Sequence, residues 1–477
     1  MEGVGGMEID HASSERSTPV AEACSPQLDD RLPIIVGITG HRDPRDVAKL
    51  REDLASALRR IDEITPRSPI WLLSPLAAGA DQEFAEVGLD EFAFSRRLLG
   101  PESVRLTVPL PFELDDYHLD FESEPETRAR FDRLLDRADR SFVLPPRRAS
   151  DLFEHRRPDG TLIQRVGGSD DPADDIRSIH YDRLGRFMAA HAHVMIAAWD
   201  GRPSRGRGGT ASIVDYCVRG HGPSQGEGIP LRSDLSPIER RPPTPILFVP
   251  CPRRSDAPAV ADDGLPASVS FSHPTLRAED RNNLERIDRI NGLQSPSSPR
   301  RLTDSTVHHD RGPAAGLVRL LLRSRVQPGA LPEGLFEVFH ANHDADSELL
   351  ARQFIRLDAW ALLDKASYQL AAVVSAGVLG AALVLLQVHG LGLGAATRPA
   401  VFGYLIGLTL YLRWKRTLQR RESERAIVRP AAELLRIQIA WILGGIQRLI
   451  IDEIVPRRRR TIAPVEEILK GPMLVAI

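Results

Sequence analysis

From Pro33 to Pro250 the chain repeats one pattern: a short apolar run rich in β-branched residues, a loop, then apolar residues recurring at helical spacing. Few folds accommodate it. Ile34-Ile35-Val36-Gly37-Ile38 is continuously apolar, as a strand is when a parallel sheet buries both its faces. Thr39-Gly40-His41-Arg42-Asp43-Pro44 follows, then Val47, Leu50, Leu54, Leu58 and Ile61 with charges between them. The unit recurs as Ile70 to Leu73, the loop Ser74-Pro75-Leu76-Ala77-Ala78-Gly79-Ala80-Asp81, and a helix through Phe84 and Val87. Further strands are expected at Val104 to Val108, around Ser141 to Leu144, at Val194 to Trp199 and at Ile246 to Val249. Gly208-Gly209-Thr210 should open a helix carrying Ile213 and Val214. The fold class this predicts is α/β: a Rossmann-like open parallel sheet with helices on both faces.

Composition narrows the function classes. The formal net charge is -3, so no global positive field draws nucleic acid, and no nucleic-acid partner is expected. The three cysteines, Cys24, Cys217 and Cys251, are odd in number and lack metal-ligand spacing, which argues against a disulfide framework or a structural zinc site. Residues 1–30 are rich in Gly, Ser, Glu and Asp and carry neither the basic start nor the apolar stretch of a signal peptide; they read as a disordered tail.

In an open parallel sheet, ligands bind beyond the carboxyl ends of the strands. Three glycine-bearing loops fall there: Gly37 to Arg42, Ala78 to Asp81, and Gly206 to Thr210. Glycine lets the backbone approach a ligand, and the free N–H groups of a following helix favour phosphate. Each loop alone reads better as a plain turn; three together favour a phosphate-bearing ligand. The candidate binding residues are Gly37, Thr39, Gly40, His41, Arg42, Gly79, Ala80, Asp81, Asp200, Gly201, Arg207, Gly208, Gly209 and Thr210. Arg205 could add a further cation. His41 and Asp81 form a candidate general-base or ligand-orienting pair, against the alternative of a loop-capping histidine. Trp199-Asp200 fits either base stacking or a tryptophan that closes the core. Asp115, Asp116 and Asp120, near Tyr117, fit either a metal or, better, an acidic solvated turn, and no metal site is expected.

The set Gly-Ile-Thr-Gly-His-Arg, Ser-Pro-Leu-Ala-Ala-Gly-Ala-Asp, Pro-Leu-Pro-Phe, and Trp-Asp-Gly followed by Gly-Gly-Thr, in that order, resembles the SLOG superfamily of Rossmann-like domains. The resemblance covers Pro33 to Cys251. It implies a nucleotide or nucleotide-derived ligand, and in the LOG branch cleavage of an N-glycosidic bond. That branch carries Gly-Gly-x-Gly-Thr-x-x-Glu, whose glutamate acts in the cleavage. Thr210 matches, but the glutamate position is Ile213, which has no titratable group, so the expectation leans away from an enzyme. No Gly-Lys-Ser/Thr Walker ending is present.

Residues 252–313 are dense in Pro, Ser, Asp and Arg and read as a linker with a helix near Leu284 to Ile290; 314–365 read as a helical connector. Ala366 to Val388 then carries no formal charge, longer than the roughly 20 residues that span a bilayer core. A second run, Pro399 to Leu412, gives about 21 Å of helix against a core of about 30 Å, so spanning needs help from Leu391 to Ala396 or from snorkelling by Arg398 and Arg413. The pattern predicts a transmembrane hairpin over 366–412, against a buried helical hairpin as the alternative. Arg413, Lys415, Arg416, Arg420, Arg421, Arg425 and Arg429 follow the second run, whereas the loop between the runs holds only Arg398. The positive-inside rule places both termini in the cytoplasm at the plasma membrane. Small residues Ser375, Gly377, Gly380, Ala381, Gly403 and Gly407 suit close helix packing and a homo-oligomer. The wide apolar stripe from Ala431 to Val455 in the basic, amphipathic stretch 413–477 has three possible covers: another subunit first, the helix before the membrane, or the bilayer surface. A sensing domain joined to a two-span hairpin resembles the nucleotide-sensing membrane effectors of bacterial defence systems. A membrane-anchored nucleotide-processing enzyme using His41 and Asp81, and a non-binding scaffold, are the alternatives.

Overall fold

The computed structural model describes residues 30–96, 100, 103–144, 172–203, 208–219, 243–255, 276–292, 345–390, 397–446, 449–450 and 459–477. Six strands form one all-parallel sheet: β1 (Ile34–Gly40), β2 (Ile70–Leu73), β3 (Val104–Leu110), β4 (Arg140–Val143), β5 (Val194–Trp199) and β6 (Ile246–Pro250), in the order β4-β3-β2-β1-β5-β6. Every side chain of β2 and β5 is buried, and all of β1 up to Ile38. Such strands need cover on both faces, which is why they read as unbroken apolar runs rather than alternating ones.

Helix α1 (Val47–Ile64) follows β1, and its first turn is capped by Asp46, whose carboxylate accepts the Lys49 N–H at 2.9 Å. Leu50, Leu54, Leu58 and Ile61 are at most 1% exposed. At about 1.5–3 kcal/mol for each fully buried aliphatic side chain, this stripe is what fixes the helix to the sheet. Helix α2 (Ala80–Glu86) follows β2 and runs on through a π-helical turn, Val87–Phe92. Three further helices complete the cover: α3 (Leu114–His118), α4 (Pro125–Asp136, with Pro at its start) and α5 (Pro172–His191), which leads into β5. Helix α6 (Thr210–Arg219) connects β5 to β6 and packs on α5.

The segment expected to be a linker contributes to this domain. Residues 251–255 fold back over the β1–α1 loop: Arg45 N–H donates to the Pro252 carbonyl at 2.9 Å, and Arg254 N–H to the Asp43 carbonyl at 2.9 Å. Helix α7 (Ala278–Asn291) buries Leu284, Ile287 and Ile290 in the same core. Its Asn291 amide clasps the Leu32 backbone, accepting from N–H and donating to C=O, both at 2.7 Å. The core therefore selects this helix out of a polar stretch by three apolar residues at helical spacing.

Two long helices follow, α8 (Ala345–Gly390) and α9 (Thr397–Leu443), which pack against each other as a hairpin, and then α10 (Arg459–Val475). Leu349, Leu350, Phe354 and Leu357 of α8 and Val428, Ala431, Leu435 and Ile439 of α9 join the core. The stripe from Ala431 is thus covered inside the chain, not by another subunit, as far as Ile439: α10 and α8 supply the partner surface. Residues 451–455 lie outside the described set. Helix α10 seats against the amino edge of the sheet. Its Lys470 donates to the Ala192 carbonyl at 2.8 Å, and the Glu467 carbonyl lies 2.7 Å from His193 Nε2, while His193 Nδ1 accepts the Ile35 N–H at 2.9 Å. Burial beside Lys470 pushes the His193 pKa down to about 3, so the ring is neutral and bridges α10 to β1.

Among the residues described with their side chains, no helix is long and apolar enough to cross a membrane. Many side chains of 366–388 lie outside that set. What stands is a helical hairpin whose two ends both root in the sheet domain, tied by Arg429 Nη1 to Asp358 at 2.9 Å. Gly377 and Gly380 face open space, so the close approach of α8 and α9 does not use them.

Candidate functional site

The strand order reverses direction between β1 and β5, since β2 to β4 add on one side of β1 and β5 and β6 on the other. The crevice beyond the carboxyl ends of those two strands is where open α/β sheets bind ligands. His41 follows β1 and Asp200 follows β5, and the structure joins them: His41 Nε2 lies 3.1 Å from both the Asp200 backbone N and its Oδ1. One ring nitrogen cannot accept from the amide and donate to the carboxylate at once, so the tautomer selects the contact. Burial holds the His41 pKa below its ordinary value despite Asp200. Burial works to raise Asp200, but the Arg202 N–H, His41 and Arg253 outweigh it and keep the carboxylate ionised. The partner of His41 is thus Asp200 rather than Asp81.

Asp81 sits in the first turn of α2 and is 5% exposed. Burial pushes its carboxyl up to about 8, opposed by the Arg42 charge and a hydrogen bond from the Ala77 backbone. At neutral pH it mostly keeps its proton and can donate a hydrogen bond. The loop before it is tightly built. Leu76, fully buried, holds a left-handed φ of 58°, with its N–H on Ser74 Oγ at 3.2 Å and its carbonyl accepting from Gln82 at 3.2 Å. A buried non-glycine residue in that region stores strain that only surrounding contacts sustain.

The glycines serve this construction more than they expose it. Gly79 has φ +82°, and a Cβ there would lie 2.4 Å from the Arg42 carbonyl oxygen and 2.5 Å from that of His41. The adjoining Ala80 N–H donates to the His41 carbonyl at 3.0 Å, so the β1–α1 and β2–α2 loops are locked together. A Cβ on Gly40 would meet Ala80 Cβ at 2.4 Å, and one on Gly37 would meet Met195 Sδ at 2.4 Å. Gly208 (φ +74°) is pressed on the backbone of α5. We expect Gly79→Ala to cost about 2–3 kcal/mol from the backbone conformation and the clash, read as a lowered melting temperature.

The remaining candidates fall into place around this knot. Thr39 is buried within β1, beside Ala197 of β5. Gly201 turns the chain with φ +78°. The Gly209 carbonyl accepts from Ser212 and Ile213, starting α6, of which Thr210 is the first residue. Ile213 fills the space over Gly185, which accounts for an apolar residue there. Arg205 and Arg207 lie outside the described residues. Trp199 belongs to the core, 6% exposed, with its indole N–H on the Arg202 carbonyl at 3.0 Å.

Sequence spacing gave no hint of the residues that α5 adds. Arg42, with its side chain 54% exposed, lies over the Tyr181 ring at 5.6 Å and donates to Asp120 at 3.3 Å. Arg177 also pairs with Asp120 and lies over the Phe112 ring at 4.6 Å. His180 packs on Phe112 at 4.6 Å, and the Tyr117 hydroxyl donates to the Pro75 carbonyl at 3.1 Å. Asp120 is therefore an anchor for two guanidiniums. Among the described residues, the buried Tyr181 hydroxyl and Asp200 Oδ2 make no hydrogen bond, although Arg253 Nε lies 3.4 Å from the latter. The signal for α5 was present in Ile179, Leu184, Met188 and Ala189, but Arg177, His180 and Arg183 between them dilute it. Two thiols are excluded as nucleophiles: burial pushes Cys217 and Cys251 up to about 12.

The chain matches no family model and no curated protein.

Proposed function

We propose that the chain is a membrane-anchored sensor of a nucleotide or nucleotide-derived ligand, with the α8–α9 hairpin as its bilayer-embedded effector, of the kind used in bacterial defence. One juxtaposition carries the reading. The sheet has a polar crevice at the carboxyl ends of β1 and β5, and at its amino edge it roots a hairpin that exposes Val373, Leu383, Val384, Phe402, Leu405, Ile406 and Leu410. A patch of this kind marks a lipid or protein contact rather than a water-facing surface. Both helix ends at the sheet domain agree with both flanks being cytoplasmic at the plasma membrane. Arg42 would pair with the ligand phosphate, neutral Asp81 would donate to it, and ionised Asp200 would accept from a hydroxyl. Signalling requires that the ligand prefer one state of the hairpin. The open space beside Gly377 and Gly380 favours assembly with further copies of this chain.

Titration of the full chain in detergent with nucleoside mono-, di- and cyclic phosphates should give saturable binding. Arg42→Ala should weaken it about 10- to 100-fold, as expected for a lost charge-assisted bond. A panel without binding would overturn the sensor, and extraction of the chain from membranes by alkaline carbonate would overturn the anchor. The retained proton on Asp81 favours a second reading, an anchored nucleotide-processing enzyme with Asp81 as general acid. Steady product release abolished by Asp81→Asn would establish it over the first.

A further inference from the structure

Arg42, just past the carboxyl end of β1, and Arg177, in the second turn of α5, converge on the turn Leu119–Phe121. Asp120 Oδ2 accepts from Arg42 Nη2 at 3.3 Å, and Asp120 Oδ1 accepts from Arg177 Nη2. Two guanidiniums thus share one carboxylate, which leaves a positive charge in excess. We propose that Asp120 stands in for the terminal phosphate of the ligand: a phosphate with two negative charges displaces it and sits between Arg42 and Arg177. The inference rests on the nucleotide reading of the crevice, and it restricts the ligand to phosphomonoesters and terminal diphosphates as against singly charged phosphodiesters.

The guanidiniums are held in place by more than the carboxylate. Arg42 lies over the Tyr181 ring at 5.6 Å, and Arg177 lies over the Phe112 ring at 4.6 Å and donates to the Asp116 carbonyl at 3.3 Å. A ring face attracts the cation without taking its in-plane N–H groups, so both forks stay placed to donate when Asp120 leaves. His180 Nδ1, one turn beyond Arg177, lies 3.0 Å from the Pro111 carbonyl and ties this part of α5 to the end of β3. The Arg42 contact is the looser one: 3.3 Å is long for a charge-assisted bond, and that side chain is 54% exposed, which opens the clamp to solvent. The same four groups, Asp81, Arg42, Asp120 and Arg177, surround the Tyr117 hydroxyl, whose pKa is pushed up chiefly by burial. Asp81 mostly keeps its proton at neutral pH, so neither it nor Tyr117 cancels a guanidinium. A monoanion would therefore replace Asp120 charge for charge, whereas a dianion neutralises both arginines.

Binding to the full chain is measured at neutral pH, where a phosphomonoester with a second pKa of about 6 is mostly dianionic. The probes are nucleoside 5′-monophosphates and 5′-diphosphates, the same monophosphates capped as methyl diesters, 3′,5′-cyclic monophosphates and inorganic phosphate. Terminal phosphates should bind about 10- to 100-fold more tightly than their methyl diesters, and Arg177→Gln should bring the two classes level. Asp120→Asn should tighten the terminal phosphates by about fivefold, because it removes a competing, partly exposed ion pair. Diesters that bind the unaltered chain as tightly as terminal phosphates would overturn the dianion site and leave the sensor standing, with no variant needed. Unchanged or weaker binding by a folded Asp120→Asn chain would make Asp120 part of the wall and overturn the stand-in; a preference that survives Arg177→Gln would overturn the clamp. Inorganic phosphate as tight as the monophosphates would assign the clamp to a free anion and overturn the nucleotide. A panel in which nothing binds would overturn the sensor and this site with it.

Discussion

Replacing Arg356 by methionine is expected to cost about 3–5 kcal/mol of stability, enough to lower the melting temperature of the chain by several degrees. Arg356 lies on α8 with its side chain 2% exposed, and it donates to Asp30 through Nη2 at 2.5 Å and to the Asp30 carbonyl through Nε at 3.2 Å. The Asp30 side chain is 8% exposed. Methionine fills similar volume, so the loss comes from removing the charge that Arg356 places against the buried Asp30 carboxylate, not from a cavity. Asp30→Ala combined with Arg356→Met should recover much of the loss, because it removes that carboxylate. A double variant no better than the single one would show that packing of the arginine stem, rather than charge, holds α8 to the sheet domain.

The second large effect depends on pH. Asp81 has a folded-state pKa of about 8 against an ordinary value of 3.8, so the folded chain binds its proton more tightly than the unfolded chain does. Stability from this group is complete below pH 3.8 and is lost as pH rises towards 8, at about 1.4 kcal/mol per unit, or about 4 kcal/mol by pH 7. Asp81→Asn, which cannot ionise, should flatten the decline of melting temperature between pH 5 and 8 and stabilise the protein most at the upper end. Parallel curves for the two proteins would show that Asp81 ionises freely in the fold. Because Arg42 opposes the shift, Arg42→Ala should carry the decline on to higher pH.

The order of strands along the chain was legible because burial on both faces writes each strand as an apolar run. β1, β2 and β5 fall where Ile34, Ile70 and Val194 begin those runs; β3 continues two residues past Val108 and β4 starts at Arg140. The His41–Asp200 contact was not legible: it joins residues 159 apart, and only the placement of β5 beside β1 creates it. Gly79 stood out in the sequence, but its reason did not, since a tight loop-to-loop contact and an approach to a ligand ask for the same residue. Arg177 and Tyr181 were hidden because their helix is short of apolar residues on the very face it turns to the site. Helix α10 was hidden by Pro464 and Pro472, which break the helical reading yet stand inside the helix.

The position of α10 has a consequence for how the chain is made. β1 is the first strand, whereas the helix that closes its amino edge follows both hairpin helices in the sequence. At about 5–20 residues per second, the interval between synthesis of Pro33 and of Gly471, which pack together, lasts roughly 20–90 s. Throughout it, His193 lacks the Glu467 carbonyl, and Leu469, Met473 and Leu474 are not yet there to cover the core. The hairpin therefore leaves the ribosome before the sheet domain in which both its ends root is complete, so its helices must pair while the amino edge of the sheet is still open.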